Sequence, residues 1–250
     1  MTVAALEVQR IDKHFGALHV ARDLSLTLAP GARHALIGPN GAGKTSFVNL
    51  ITGAIRPDAG EVWLAGERIT ALDLAARARR GLGRTFQINQ LFRELTVLEN
   101  VCLPIVERMG QGGRLWRPLG RHPAAIDEAM ALIERFQLAD VALETVNSLA
   151  YGRQRLLEIV IALGRKPRVL LLDEPAAGVA STEVRLILDA IAQLDSQVAV
   201  LIIDHDMEVI FEVASRITVM VSGAILTEGS PAQIAADQRV KDVYLGQSSA

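Results

Sequence analysis

"GPNGAGKT", Gly38 to Thr45, decides how the rest of the chain is read. It satisfies G-x-x-x-x-G-K-[ST] in full, with the apolar strand "HALI" before it and a helical pattern, Lys44 to Thr52, after it. Gly38, Gly41 and Gly43 let the backbone curl so that successive N–H groups turn inward toward phosphate oxygens. The helix that follows adds its positive dipole end, and Gly53 closes it. Lys44 is placed to reach β- and γ-phosphates, and the Thr45 hydroxyl to hold Mg²⁺. The candidate nucleotide contacts of the loop are Gly38, Pro39, Asn40, Gly41, Ala42, Gly43, Lys44, Thr45 and Ser46.

A phosphate loop needs acids to complete its chemistry, and "RVLLLDEP" supplies them in Asp173 and Glu174 at the end of an apolar strand. The first is placed to hold the metal opposite Thr45, the second to take a proton from attacking water. Adjacent carboxylates repel each other, so one bound to metal and one free as base is a sensible division. An acid doublet at a strand end is weak evidence alone and strong evidence after a complete phosphate loop.

Composition bounds the remainder. The 250 residues fit one large α/β domain with or without a smaller subdomain, and 50% apolar residues provide a substantial core. A formal net charge of −2 argues against binding nucleic acid through bulk charge. The single cysteine, Cys102, excludes an internal disulfide and reads as a buried helix residue. No apolar run approaches the ~20 residues that cross a bilayer. Glu7 interrupts the stretch where a secretory signal would be apolar, so a cytoplasmic location is expected.

Working outward from the loop, "LEVQRI", "DLSLTL" and "RHALIG" read as strands, and "RPDAGEVWLAG" as a turn and strand. From about Phe86 the pattern becomes helical through "LTVLENVCLPIVERM" and "AAIDEAMALIERFQL". Between those helices, residues 109–123 are rich in Gly, Arg and Pro and read as an exposed loop. After "RVLLLDEP" come a helix from Thr182, the strand "VAVLIID", a helix from Met207, the β-pair "RITVMVSGAILTEG" and two short terminal helices. A helical insert thus interrupts an α/β body.

The order GPNGAGKT, Gln87 in "RTFQ", "LAYGRQR", "LLLDEP" and His205 in "IIDHDM" resembles the ATP-binding-cassette ATPases along essentially the whole chain. The resemblance implies one α/β P-loop domain of the ABC type, with a RecA-like core, an antiparallel β subdomain and a helical insert. Its core would be 1–85 and 166–250, and its signature subdomain 86–165. It implies that Phe15 stacks on adenine and that Gln87 touches Mg²⁺ or the attacking water. Glu174 is then the general base, and His205 the switch that senses the γ-phosphate. Leu149, Ala150, Tyr151, Gly152 and Arg153 would close over the ATP of a second, head-to-tail ATPase subunit.

Within that family, "RTFQINQLFRELTVLENV", "LAYGRQRLLEI", "LLDEPAAGV" and the closing "VYLG" resemble the ATPase subunits of branched-chain amino acid importers. The resemblance implies ATP hydrolysis coupled to two membrane permeases, with an indirect link to an extracytoplasmic solute-binding protein. The chain would then sit on the cytoplasmic face of the membrane through those partners. Import of urea, aromatic acids or other amino acids, a soluble cassette ATPase, and a non-hydrolysing regulatory subunit are the alternatives. The chain departs from the family pattern at three places. Arg153 replaces the usual Gln, Ala180 replaces an Asn or Asp that serves cross-talk between paired sites, and Ser46 replaces Thr. Ala150 in place of the signature Ser is familiar in the subfamily. A hydroxyl there would add about 1.5–3 kcal/mol at most. The Arg153 charge near a phosphate could compensate, or it could simply face solvent.

Overall fold

The computed structural model describes residues 3–85, 91–111 and 122–245, grouped into two compact units. The first comprises residues 1–82, 168–174 and 195–250; the second comprises 83–167 and 175–194.

Two sheets build the first unit. The antiparallel sheet has the order β2-β1-β4-β5, from β1 (Leu6–Phe15), β2 (Leu18–Leu28), β4 (Ala59–Leu64) and β5 (Glu67–Arg68). Alternation explains β2: Leu24, Leu26 and Leu28 are buried while Ser25 and Thr27 face outward. Strands β1 and β2 run farther toward each other than the apolar segments suggested, meeting at Gly16–Ala17. The second sheet has the order β10-β9-β3-β8-β7-β6. Its strands are β3 (Arg33–Ile37), β6 (Leu82–Arg84), β7 (Val169–Asp173), β8 (Ala199–Ile203), β9 (Arg216–Val221) and β10 (Ala224–Gly229). Strand β3 runs parallel to β8 and β9, and β7 parallel to β8. Every residue of β7 and β8 is buried, as a parallel sheet covered on both faces requires. Phe47 and Ile51 of helix α1 (Lys44–Thr52) join Leu24, Leu171, Leu201 and Met220 in one apolar core.

Helix α2 (Leu74–Arg79) and β6 escaped the sequence pattern because each is too short to display a period. The capping signal for α2 was nonetheless present, since the Asp73 side chain accepts from the Ala76 N–H at 2.7 Å.

The second unit is built on helices α3 (Val97–Arg108), α4 (Pro123–Arg135), α5 (Tyr151–Gly164) and α6 (Ser181–Ala192), with α3 packed on α4 and α5, and α5 on α6. Residues 86–90, where the helical pattern was expected to begin, lie outside the described residues; α3 starts after Thr96, which forms a reciprocal capping box with Glu99. Asn100 fixes the preceding loop by accepting from the Phe92 N–H and donating to the Phe92 and Thr96 carbonyls. Gly164 permits the close α3–α5 approach, because a Cβ there would lie 3.1 Å from both Pro104 Cγ and Ile105 Cγ1. Cys102 is buried within α3, as its setting predicted. The 112–121 part of the Gly/Arg-rich loop lies outside the described residues.

The chain ends in the first unit with α7 (Met207–Val213), the β9–β10 pair, α8 (Pro231–Ala236) and α9 (Gln238–Leu245). No helix among the described residues is long and apolar enough to cross a membrane.

Candidate nucleotide site

Strand register assembles the site. In the parallel sheet Leu36 and Asp173 both pair with Ile203, so the next residues of three strands emerge at one edge. Those residues are the loop from Gly38, then Glu174, and then Asp204 with His205. Ligands bind at such carboxyl ends of parallel strands because the connecting loops converge there.

The loop has the conformation that its glycines allow. Gly38, Gly41 and Gly43 have φ of 154°, 78° and 101°. At Gly38 a Cβ would lie 2.2 Å from the Met220 carbonyl oxygen, and at Gly43 2.7 Å from that of Val20. Side chains are excluded at both. Helix α1 starts at Lys44 with Gly43 as N-cap, no side-chain cap and no acid in its first turn. Its leading N–H groups are therefore available to an anion. Lys44 Nζ folds over the loop, donating to the carbonyls of Gly38 at 2.6 Å and Pro39 at 3.1 Å. Burial pushes the Lys44 ammonium below its usual pKa, while Glu174 and Asp173 pull it back up. Thr45 is exposed and Asp173 buried.

Glu174 is held in an unusual state. Its φ is 47°, in the left-handed region, and its N–H donates to the Ile203 carbonyl at 2.7 Å. Such backbone strain in a glutamate persists only where the surroundings over-determine it, and it clusters at functional sites. His205 Nδ1 lies 3.5 Å from Glu174 Oε1, and the imidazole is 66% exposed.

Asp204 was not singled out from the sequence. Its Oδ1 accepts from the N–H groups of His205 at 2.7 Å and Asp206 at 3.0 Å, fixing the turn that carries His205. Its Oδ2 is buried without a partner, and burial raises its pKa. Arg77 was missed as well. Its buried guanidinium donates to the carbonyls of Leu50, Ile51, Thr70 and Leu72, clamping the C-terminal end of α1. Burial lowers its pKa to about 10.

Phe15 ends β1 and is 48% exposed, so it is not a core residue; Lys13 Nζ stands 5.4 Å from its ring centroid. Gln87 lies outside the described residues.

Leu149 to Arg153 lie in the second unit. Leu149 is buried, Ala150 is the N-cap of α5 without a side-chain hydrogen bond, and Tyr151 is exposed. Gly152 packs against α6, where a Cβ would meet Glu183 Cβ at 2.9 Å and its Oε2 at 2.8 Å. Arg153 Nη1 donates to Asp140 Oδ2 at 2.6 Å. Ala180 is the N-cap of α6, also without a side-chain hydrogen bond.

The chain fits the ABC transporter family over residues 21–177, more than half its length. It belongs to that family. The ABC cassette also matches the branched-chain amino acid ATP-binding cassette transporter C-terminal family over residues 224–250. It is 36% identical to the high-affinity branched-chain amino acid transport ATP-binding protein LivG of Escherichia coli K12, covering 99% of this chain and all of that one. It is 34% identical to the lipopolysaccharide export system ATP-binding protein LptB of Haemophilus influenzae, covering 98% of each. Among solved structures, the ADP conformation of MJ1267, an ATP-binding cassette of an ABC transporter, superposes with a TM-score of 0.87 at 30% identity. That match covers 98% of this chain and all of the other. The cassette is thus an ATP-binding, ATP-hydrolysing domain of the ABC type.

Proposed function

We propose that this cassette is the ATPase subunit of an importer for branched-chain amino acids. The observation that carries the substrate is the C-terminal segment. Residues 224–250 match the branched-chain cassette family, and LivG is matched along its whole length. LptB is similar along its length too, so overall likeness alone does not separate import from export.

The chemistry follows from the site. The N–H groups opening α1 and the Lys44 ammonium bind the β- and γ-phosphates, for which Lys44 exchanges its carbonyl partners. Thr45, Asp173 and Gln87 would hold Mg²⁺, which when bound neutralises charge between the phosphates. Glu174 accepts a proton from the attacking water, and His205 steadies that carboxylate from 3.5 Å. Phe15 offers a ring face to adenine. The N-terminus of α5, from Leu149 to Arg153, closes over the ATP of a second cassette, either a sister subunit or a copy of this chain. Closing would move two membrane permeases, holding the chain at the cytoplasmic face, and an extracytoplasmic solute-binding protein would deliver the cargo.

Reconstitution tests this. The cassette, purified with its permeases and placed in proteoliposomes with the solute-binding protein, should import labelled leucine, isoleucine or valine only with ATP. ATP hydrolysis without branched-chain uptake would transfer the substrate assignment to urea, aromatic acids or other amino acids. An intact complex without ATPase activity would leave the regulatory alternative.

A further inference from the structure

Three potential metal ligands, Asp12, His14 and His19, converge at the tip of the β1–β2 hairpin. A two-residue turn, Gly16–Ala17, joins the strands, with Gly16 at a φ of 58°. So tight a turn sets the register, and His14 pairs directly with His19 across the strands. Directly opposed residues share a face, and Asp12, two residues before His14 on β1, shares it as well. His14 Nδ1 lies 3.4 Å and His19 Nε2 2.9 Å from the same oxygen, Asp12 Oδ1. One ligand atom from each of the three residues falls within 4.8 Å of the others.

We propose that Asp12, His14 and His19 form a binding site for a borderline transition-metal cation of the zinc type. Two imidazole nitrogens and one carboxylate oxygen are a donor set that suits Zn²⁺, Co²⁺ or Ni²⁺ rather than Mg²⁺, which takes oxygen ligands. With metal–ligand bonds near 2.0–2.1 Å, tetrahedral ligand atoms sit roughly 3.3–3.4 Å apart. The His14–Asp12 separation already has that value, and the His19–Asp12 hydrogen bond must lengthen by about half an ångström. The rings stack with centroids 3.8 Å apart at an interplanar angle of 16°, so both imidazoles are already neighbours, and the exposed His14 ring must turn out of the stack to aim its nitrogen lone pair at an ion shared with His19.

Outer contacts orient the donors. Asp12 Oδ2 accepts from the Asp23 N–H at 3.3 Å, leaving Oδ1 for the metal. Asp58 accepts from the His14 N–H at 2.7 Å and from Lys13 Nζ at 2.6 Å. The Lys13 charge is thereby paired instead of opposing a cation, and Asp58 Oδ2, 3.8 Å from His14 Nδ1, adds negative potential. His14 is exposed while Asp12 and His19 are partly covered, which gives an ion an entry path and leaves a coordination position to water.

The test uses tag-free full-length protein without nucleotide, titrated with ZnCl₂ by calorimetry and with CoCl₂ by visible absorption. The expected result is one Zn²⁺ per chain at micromolar or tighter affinity, with Co²⁺ bands of a four-coordinate nitrogen–oxygen site. His14→Ala, His19→Ala and Asp12→Asn should each weaken binding by at least about tenfold, with circular dichroism melting curves verifying the fold. His205→Ala should leave it unchanged. Absence of binding would overturn the proposal, and so would binding that survives both histidine substitutions or disappears with His205.

Discussion

His205 Nδ1 stands 3.5 Å from Oε1 of Glu174, whose own backbone is held at a φ of 47°. The carboxylate is thus positioned twice, by a strained main chain anchored to β8 and by a side chain from the turn after β8. Glu174→Gln preserves the shape and removes the base. ATP binding should persist, while single-turnover hydrolysis falls by about 10²–10⁴-fold. Undiminished turnover would remove Glu174 from that role. Asp204→Ala loosens the His205 turn and should reduce turnover with little change in ATP affinity.

Arg153 is paired with Asp140, so closing over a phosphate requires the guanidinium to exchange partners. Hydrogen bonding from Arg153 is the main cause holding the Asp140 carboxyl below its usual pKa. Arg153→Ala should weaken ATP-dependent association of cassettes, and Asp140→Ala should strengthen it a few-fold by releasing the arginine. Equal association in all three proteins, measured by sedimentation with ATP and the Glu174→Gln background, would confine Arg153 to a pairing within the helical unit.

Ala180 caps α6 without contributing a side-chain oxygen, and Glu183 already occupies the third helical position. Ala180→Asn should add the missing cap and raise stability by about 1 kcal/mol, read as a denaturation midpoint. If the residue also carries cross-talk between paired sites, the same substitution should raise the cooperativity of ATP hydrolysis.

His34, on β3 just before the phosphate loop, is 2% exposed and its Nε2 lies 2.8 Å from Thr218 Oγ1. Burial lowers its pKa to about 4, against 6.5 for the ordinary group. Between those values the unfolded chain takes up a proton that the folded chain refuses. Stability contributed by neutral His34 is therefore complete above pH 6.5 and lost as pH falls toward 4, by up to about 3 kcal/mol. His34→Gln should flatten that part of the pH–stability curve.

Arg77 and Gly53 together fix the far end of α1. A Cβ on Gly53, at a φ of 81°, would lie 2.7 Å from Arg77 Nε and 2.8 Å from the Leu72 carbonyl. Gly53→Ala should cost on the order of 1–3 kcal/mol, and Arg77→Met more, because four carbonyls lose a charged donor. Because the clamp holds the phosphate-loop helix, ATP affinity should fall along with stability in both.

By itself the sequence determined the parts of this cassette that depend on local patterns. The phosphate loop, helix α1 from Lys44 to its Gly53 stop, the acid-tipped strand β7 and the order of the family motifs were all legible, because glycine placement, apolar period and spacing are written residue by residue. Tertiary structure decided what depends on partners distant in sequence. Strand register brought Asp173, Glu174 and His205 to one edge. Burial under α1 turned Arg77, anonymous in a run of alanines and arginines, into a clamp. Asp204 holds its turn through the next two N–H groups, and β8's place in the sheet sets that turn beside Glu174. The hairpin turn made Asp12, His14 and His19 neighbours, and Asp140 took up Arg153. Such roles depend on where the fold sets a side chain, through strand register, a tight hairpin turn or a carbonyl distant in sequence, and residue type and period alone do not specify that.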